Sequence, residues 1–115
     1  MPWVYSPHTG GIQIPKAVQD RARERILAHA EPRYGRRWRI EVRFRGALCY
    51  VDAFARDGDE FQMRLVRLRF FGGDRWTLAF YTYSHEKYEP SFFPSGEDFG
   101  TPEEGFDVGA VYLDE

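Results

Sequence analysis

A chain of 115 residues, 43% apolar and 30% charged, is long enough for one hydrophobic core, too short for two, and excluded by composition from wholesale disorder. Its one cysteine, Cys49, excludes an intramolecular disulfide framework and fits a reducing compartment. The first fifteen residues lack a basic start and are broken by Pro2, Pro7, Gly10 and Gly11, and no later run is apolar enough to span a bilayer. A single domain over residues 1–115, cytoplasmic and without membrane contact, is the expectation.

The net charge of −2 conceals a polarity along the chain. Residues 33–75 carry eleven arginines against six acids, whereas residues 76–115 carry Lys87 against nine acids. Either the middle segment meets an anionic partner, or the acidic segment folds over its own basic surface.

The opening "PWVYSPHTGG" predicts a short extended piece and a loop. "IPKAVQDRARERILAHAEP" predicts a helix: Pro15 suits its first turn, and Val18, Ala22 and Ile26 recur every four residues, with Leu27 and Ala30 on the same side. Pro32 is expected to end it. "RWRIEVRFRGALCYVDAFA" predicts a β-hairpin, because Trp38, Ile40, Val42 and Phe44 alternate with Arg37, Arg39, Glu41 and Arg43. A two-residue turn at Arg45-Gly46 would set Val42 against Cys49, Ile40 against Val51, Arg39 against Asp52 and Glu41 against Tyr50. A second hairpin turns at Gly72-Gly73-Asp74. A three-residue loop there puts Val66, Leu68 and Phe70 on one face with Trp76, Leu78 and Phe80, whereas a two-residue turn would set arginines against core residues. After Ser84 the chain is expected to turn back as "YEPSFF", an edge strand because Pro90 cannot donate a ladder hydrogen bond. "TPEEGFDVGAVYL" opens like a helix, with Thr101 as N-cap, Pro102 first and Glu104 completing a capping box. Phe106, Ala110 and Leu113 form its apolar stripe, while Gly105 and Gly109 weaken it.

The predicted fold class is α+β: an antiparallel sheet of four or five strands, arranged as a hairpin meander, with an N-terminal helix and a short C-terminal helix on one face. Three stretches, "RFRGALCYVDAF", "AFYTYSHEKYEPSFFPSGEDFG" and "GTPEEGFDVGAVYL", resemble a family of small, uncharacterised bacterial proteins of about this length. The resemblance implies a shared fold and a bacterial setting, and it assigns no catalytic residue, ligand or cofactor.

The face of the sheet away from the helices is the first candidate site. It would present Arg39, Arg43, Tyr50, Arg67, Arg69, Thr77, Tyr81 and Tyr83, with Arg75 near a loop. Arginine beside tyrosine suits a protein interface, and also stacking on bases or clamping phosphates. The plainer account is a solvated face that blocks aggregation. His85 with Glu86 and Glu89, beside Tyr83, is the second candidate, as a general base or a metal ligand. The three histidines, His8, His29 and His85, form no metal-binding motif, so a polar turn is the competing account and no metal or other cofactor is expected. Cys49 falls on the inner face, where a small buried residue explains it. Gly10-Gly11 lacks the lysine and hydroxyl of a phosphate loop and fits positive backbone angles instead. The expected function is a non-enzymatic module binding a protein partner or its own copy, with nucleic-acid binding through the same arginines as the alternative.

Overall fold

The computed structural model describes residues 10–57 and 62–114; the predicted extended piece at the N-terminus and His8 lie outside them. Helix α1 (Lys16–Tyr34) precedes five strands, β1 (Trp38–Arg45), β2 (Leu48–Ala55), β3 (Gln62–Phe70), β4 (Trp76–Thr82) and β5 (Lys87–Ser91). Helix α2 (Pro102–Gly109) follows and runs into a 3-10 turn over Ala110–Asp114. Each strand pairs antiparallel with its chain neighbour, so the sheet order is that of the chain. The class is α+β, as the periodicities predict.

Helix α1 continues two residues past Pro32, where the sequence suggested a stop. The reason lies in packing. Ala22, Ile26, Ala30 and Tyr34 form a buried stripe at a spacing of four, and the Tyr34 ring meets Phe106 at 5.8 Å. The missing proline N–H falls in the last turn, and the Gly35 N–H closes the helix onto the Glu31 carbonyl at 3.0 Å. Leu27, expected on the buried side, is largely exposed.

The first hairpin keeps its predicted faces but not its partners. Arg45 pairs with Leu48, so the turn is Gly46-Ala47, with Gly46 at φ 59°. A two-residue hairpin turn whose first central residue has positive φ favours glycine there, and shifting the turn by one residue moves every pair by two. Val42 therefore faces Val51, Ile40 faces Ala53, Arg43 faces Tyr50, and Glu41 faces Asp52. The second hairpin has the predicted register, Val66 to Phe80, Leu68 to Leu78 and Phe70 to Trp76. Strand β5 is the edge strand that Pro90 indicates.

A shift of register between Val51 and Asp52 leaves Leu65 as an extra residue in β3. Leu65 and Val66 are both fully buried beneath α2, as a bulge permits and strict alternation does not. Helix α2 has the capping box read from the sequence: the Glu104 N–H donates to Thr101 Oγ1 and the Thr101 N–H to Glu104 Oε1. Its two glycines permit a close approach. A β-carbon on Gly105 would stand 2.6 Å from Leu68 Cδ2, and one on Gly109 would stand 2.7 Å from Val66 Cγ1 and 3.0 Å from the Leu65 backbone. The residues that lower helix propensity are thus those that let α2 lie against β3.

Gly109→Ala is expected to lose about 1–3 kcal/mol despite its better helix propensity, because a methyl must displace backbone. Urea denaturation would test this; an unchanged or raised midpoint would show that α2 can withdraw from β3 at no cost.

Candidate functional site

Strands β1 to β4 turn their apolar alternates toward α1 and α2, so their polar and aromatic alternates share the opposite face, which Tyr88 joins from β5. There arginines lie over aromatic rings. The Arg43 guanidinium stands 4.5 Å from the Tyr50 ring centre, Arg67 5.1 Å from Tyr88, and Arg64 5.2 Å from Tyr81. Arg39 lies 4.7 Å from Phe54. The tyrosines also touch one another in a chain: Tyr50 with Tyr88 at 5.8 Å, Tyr88 with Tyr81 at 5.1 Å, Tyr81 with Tyr83 at 4.8 Å and Tyr83 with Tyr112 at 5.5 Å. Tyr50 and Tyr88 stand on strands three apart, so their rings lean toward each other along the face. The small Ala79 on the intervening β4 gives them room.

This layer closes the face more than alternation suggested. Tyr81 is 6% exposed, Asp52 2% and Thr77 1%. Tyr83, at 45%, is the more open ring. Its hydroxyl accepts from the Arg64 N–H at 2.7 Å and lies 3.2 Å from the Arg64 carbonyl, which ties the β4–β5 turn to β3. The Tyr112 hydroxyl donates to the Tyr81 carbonyl at 2.8 Å. Arg69 is fixed by a bond to the Gly10 carbonyl at 3.2 Å.

Asp52 sits beneath this layer and was read from the sequence only as a surface salt link to Arg39. In the true register Arg43 is the cation beside it, with Nε 3.5 Å from Oδ2, and Gln62 donates to the same oxygen at 3.1 Å. Oδ1 is buried with no hydrogen-bond partner, as are the Tyr88 hydroxyl and Thr77 Oγ1. Burial pushes the Asp52 carboxyl up, outweighing the pull of Arg43, Gln62 and Arg64. Burial, and then the Asp52 charge, pushes the Tyr88 phenol up to about 12. Sequence reasoning missed Tyr88, Arg64 and Gln62 as members of the cluster, because Tyr88 enters from the edge strand and Arg64 through the bulge.

The acidic C-terminal segment does not cover these arginines. It pairs with α1 on the other side of the sheet. Arg25 donates bidentate bonds to Glu103, at 2.7 and 2.9 Å, and to Asp74, at 2.7 and 3.3 Å. His29 Nε2 is 2.8 Å from Asp107, and Arg33 donates to Asp114 at 3.2 Å. Among the described residues of the outer face, Arg39, Arg43, Arg45, Arg64, Arg67 and Arg69 therefore stand against Glu41 and Asp52. Arg39 pairs with Glu41, and Arg75 lies over Phe99 at 4.2 Å, off the tyrosine chain.

The histidine cluster is split by its turn. His85 Nδ1 lies 2.7 Å from Glu89 Oε2, which also accepts from Thr82 at 2.8 Å, and the histidine side chain is 65% exposed. These two bonds, His85 first, hold the Glu89 carboxyl below its ordinary range. Glu86 holds the turn between His85 and Glu89 at φ 52°. Among the described residues, no group of three or more histidine, cysteine, aspartate or glutamate side chains is placed to hold a metal. Cys49 is fully buried, and burial pushes its thiol up to about 12, which makes it a poor nucleophile. No helix of the described residues is long and apolar enough to cross a membrane. No family model, curated protein or solved structure matches the chain.

Asp52 binds its proton more tightly folded than unfolded, so its ionisation costs stability. That cost is absent below its ordinary value of 3.8 and grows as pH rises through the higher folded value. Asp52→Asn imitates the protonated form. The variant should match the natural chain below about pH 4 and exceed its stability at pH 7. Urea midpoints at the two pH values measure this; a variant less stable only at pH 7 would show that the Arg43 pairing outweighs desolvation.

Proposed function

We propose that the protein is a non-enzymatic interaction module whose arginine–tyrosine sheet face binds an acidic surface of a partner protein. The observation that supports this most is the set of guanidinium groups seated on aromatic rings, on a face where, among the described residues, six arginines stand against two acids. Guanidinium groups fixed in this way lose little freedom when they pair with carboxylates, and tyrosine and arginine are the residues that concentrate energy at interfaces. Two copies meeting through this face would oppose arginine to arginine. A second copy's Glu103, Asp107 and Asp114 are already held by α1, so a separate acidic protein fits better. Nucleic acid is the alternative, since phosphates suit the same forks. It is less favoured because Tyr81 is closed in and Tyr50 and Tyr88 are half-buried, which leaves few ring faces for bases. A bacterial, cytoplasmic setting accords with the family resemblance and the single buried thiol.

Binding to an acidic polypeptide such as poly-glutamate, measured by anisotropy at about 50 mM salt, is expected to be saturable and to weaken at least about tenfold in Arg43→Glu/Arg67→Glu. A single-stranded oligonucleotide bound more tightly than the polypeptide, with affinity falling steeply as salt rises, would replace this reading with the nucleic-acid one. A dimer in light scattering that persists in the double variant would place self-association on another surface.

A further inference from the structure

Away from the tyrosine layer, the chain leaving α1 crosses the start of β1 and the end of β2 to form a concave region around Trp38. A cleft of about 350 Å³ is lined by Arg36, Arg37, Trp38, Ala55, Arg56 and Asp57. Clefts of about 230 and 130 Å³ adjoin it and share the Trp38 wall, the second bringing Arg33 to the same region. The largest lies within the size range of small-molecule sites, and three of its six lining residues are arginines against one acid.

Arginine at the end of a helix has an ordinary explanation, the partial negative charge of the terminal carbonyls, but that effect fades within the last turn. Arg33 lies in that turn and is paired with Asp114. Arg36 and Arg37 lie beyond it, are exposed, and form no ion pair among the described residues. Three carbonyls around the helix end that would repel an anion are already engaged. The Gly35 N–H bonds the Glu31 carbonyl, the Arg37 N–H bonds that of Tyr34, and Arg56 Nε bonds that of Gly35 at 2.6 Å. The Arg56 N–H in turn holds the Arg37 carbonyl at 3.0 Å, which fixes the two sides of the cleft together. The cleft thus has a braced frame, an apolar wall from Trp38 and Ala55, and two guanidinium groups that form no ion pair among the described residues.

We propose that this cleft binds a small phosphorylated ligand, its phosphate taken by Arg36, Arg37 and the remaining donors of Arg56. Planar forks around one concavity match the several oxygens and double charge of a phosphate better than a lone carboxylate. This site is separate from the sheet face and does not rest on the function proposed for it.

Calorimetry on the full chain at 150 mM salt, with pyrophosphate and adenosine monophosphate as probes, tests the site. At least one probe is expected to bind saturably below about 1 mM. Arg36→Ala/Arg37→Ala should weaken that binding at least about tenfold while leaving the unliganded melting temperature nearly unchanged, because both side chains are exposed. Arg43→Glu/Arg67→Glu should retain it. Adenosine monophosphate bound more tightly than pyrophosphate, its base adding contact with the Trp38 and Ala55 wall, would mark an organic phosphate ester as the ligand; the reverse order would mark an inorganic one. No saturable binding by either probe at about 10 mM, equal stabilisation by sulfate at matched ionic strength, or equal loss in the sheet-face variant would overturn the proposal.

Discussion

The matching of basic residues along α1 to acids of the C-terminal segment governs how charge is distributed over this molecule. Arg25, His29 and Arg33 recur every four residues along α1, and Glu103, Asp107 and Asp114 meet them from the C-terminal segment. Arg25 is the node, because it also holds Asp74 in the β3–β4 loop and so ties both helices to the hairpin beneath. Burial disfavours the Glu103 carboxylate, yet the Arg25 and backbone hydrogen bonds, with the Arg25 charge, hold it below its ordinary range. Three of the nine acids in the last forty residues, Glu103, Asp107 and Asp114, are thus engaged on the helix side of the sheet. The arginine excess of the middle segment stays on the other side.

With that charge left in place, the outer face needs another way to hold six arginines near one another. Aromatic rings supply it. Four of these arginines, Arg39, Arg43, Arg64 and Arg67, rest on rings of the face, so stacking supplements the two acids, Glu41 and Asp52, that pair with Arg39 and Arg43. The layer also buries Asp52, whose carboxylate is surrounded by cations yet has one oxygen without a hydrogen bond. A buried charge in that condition is expensive in stability.

The two arginine-rich regions differ in kind. On the sheet face the guanidinium groups are spread over a broad, nearly closed surface, the geometry of a macromolecular contact. Around Trp38 they border a concavity of small-molecule size. Sequence adjacency hides the distinction, since Arg36, Arg37, Arg39 and Arg43 fall within eight residues. Alternation along β1 sends Arg39 and Arg43 to the outer face, while Arg36 and Arg37 precede the strand and belong to the turn off α1.

Period-two alternation determined the strands and the faces of the sheet, and the hydrophobic pattern of Val66, Leu68 and Phe70 against Trp76, Leu78 and Phe80 selected the second hairpin's register. Thr101, Pro102 and Glu104 marked the start of α2 because a capping box is a local hydrogen-bonding device. What the sequence left open depended on forces between distant segments. Two registers of the first hairpin preserve the same faces, so burial does not choose between them, and the Gly46 turn does. Pro32 was a local stop signal overridden by the burial of Tyr34 against Phe106. The Leu65 bulge, the reach of Tyr88 across the sheet and the pairing of the acidic tail with α1 have no local signature. Their energies come from packing and charge brought together by the fold, and these contacts assembled the Asp52 cluster and left both arginine surfaces uncovered.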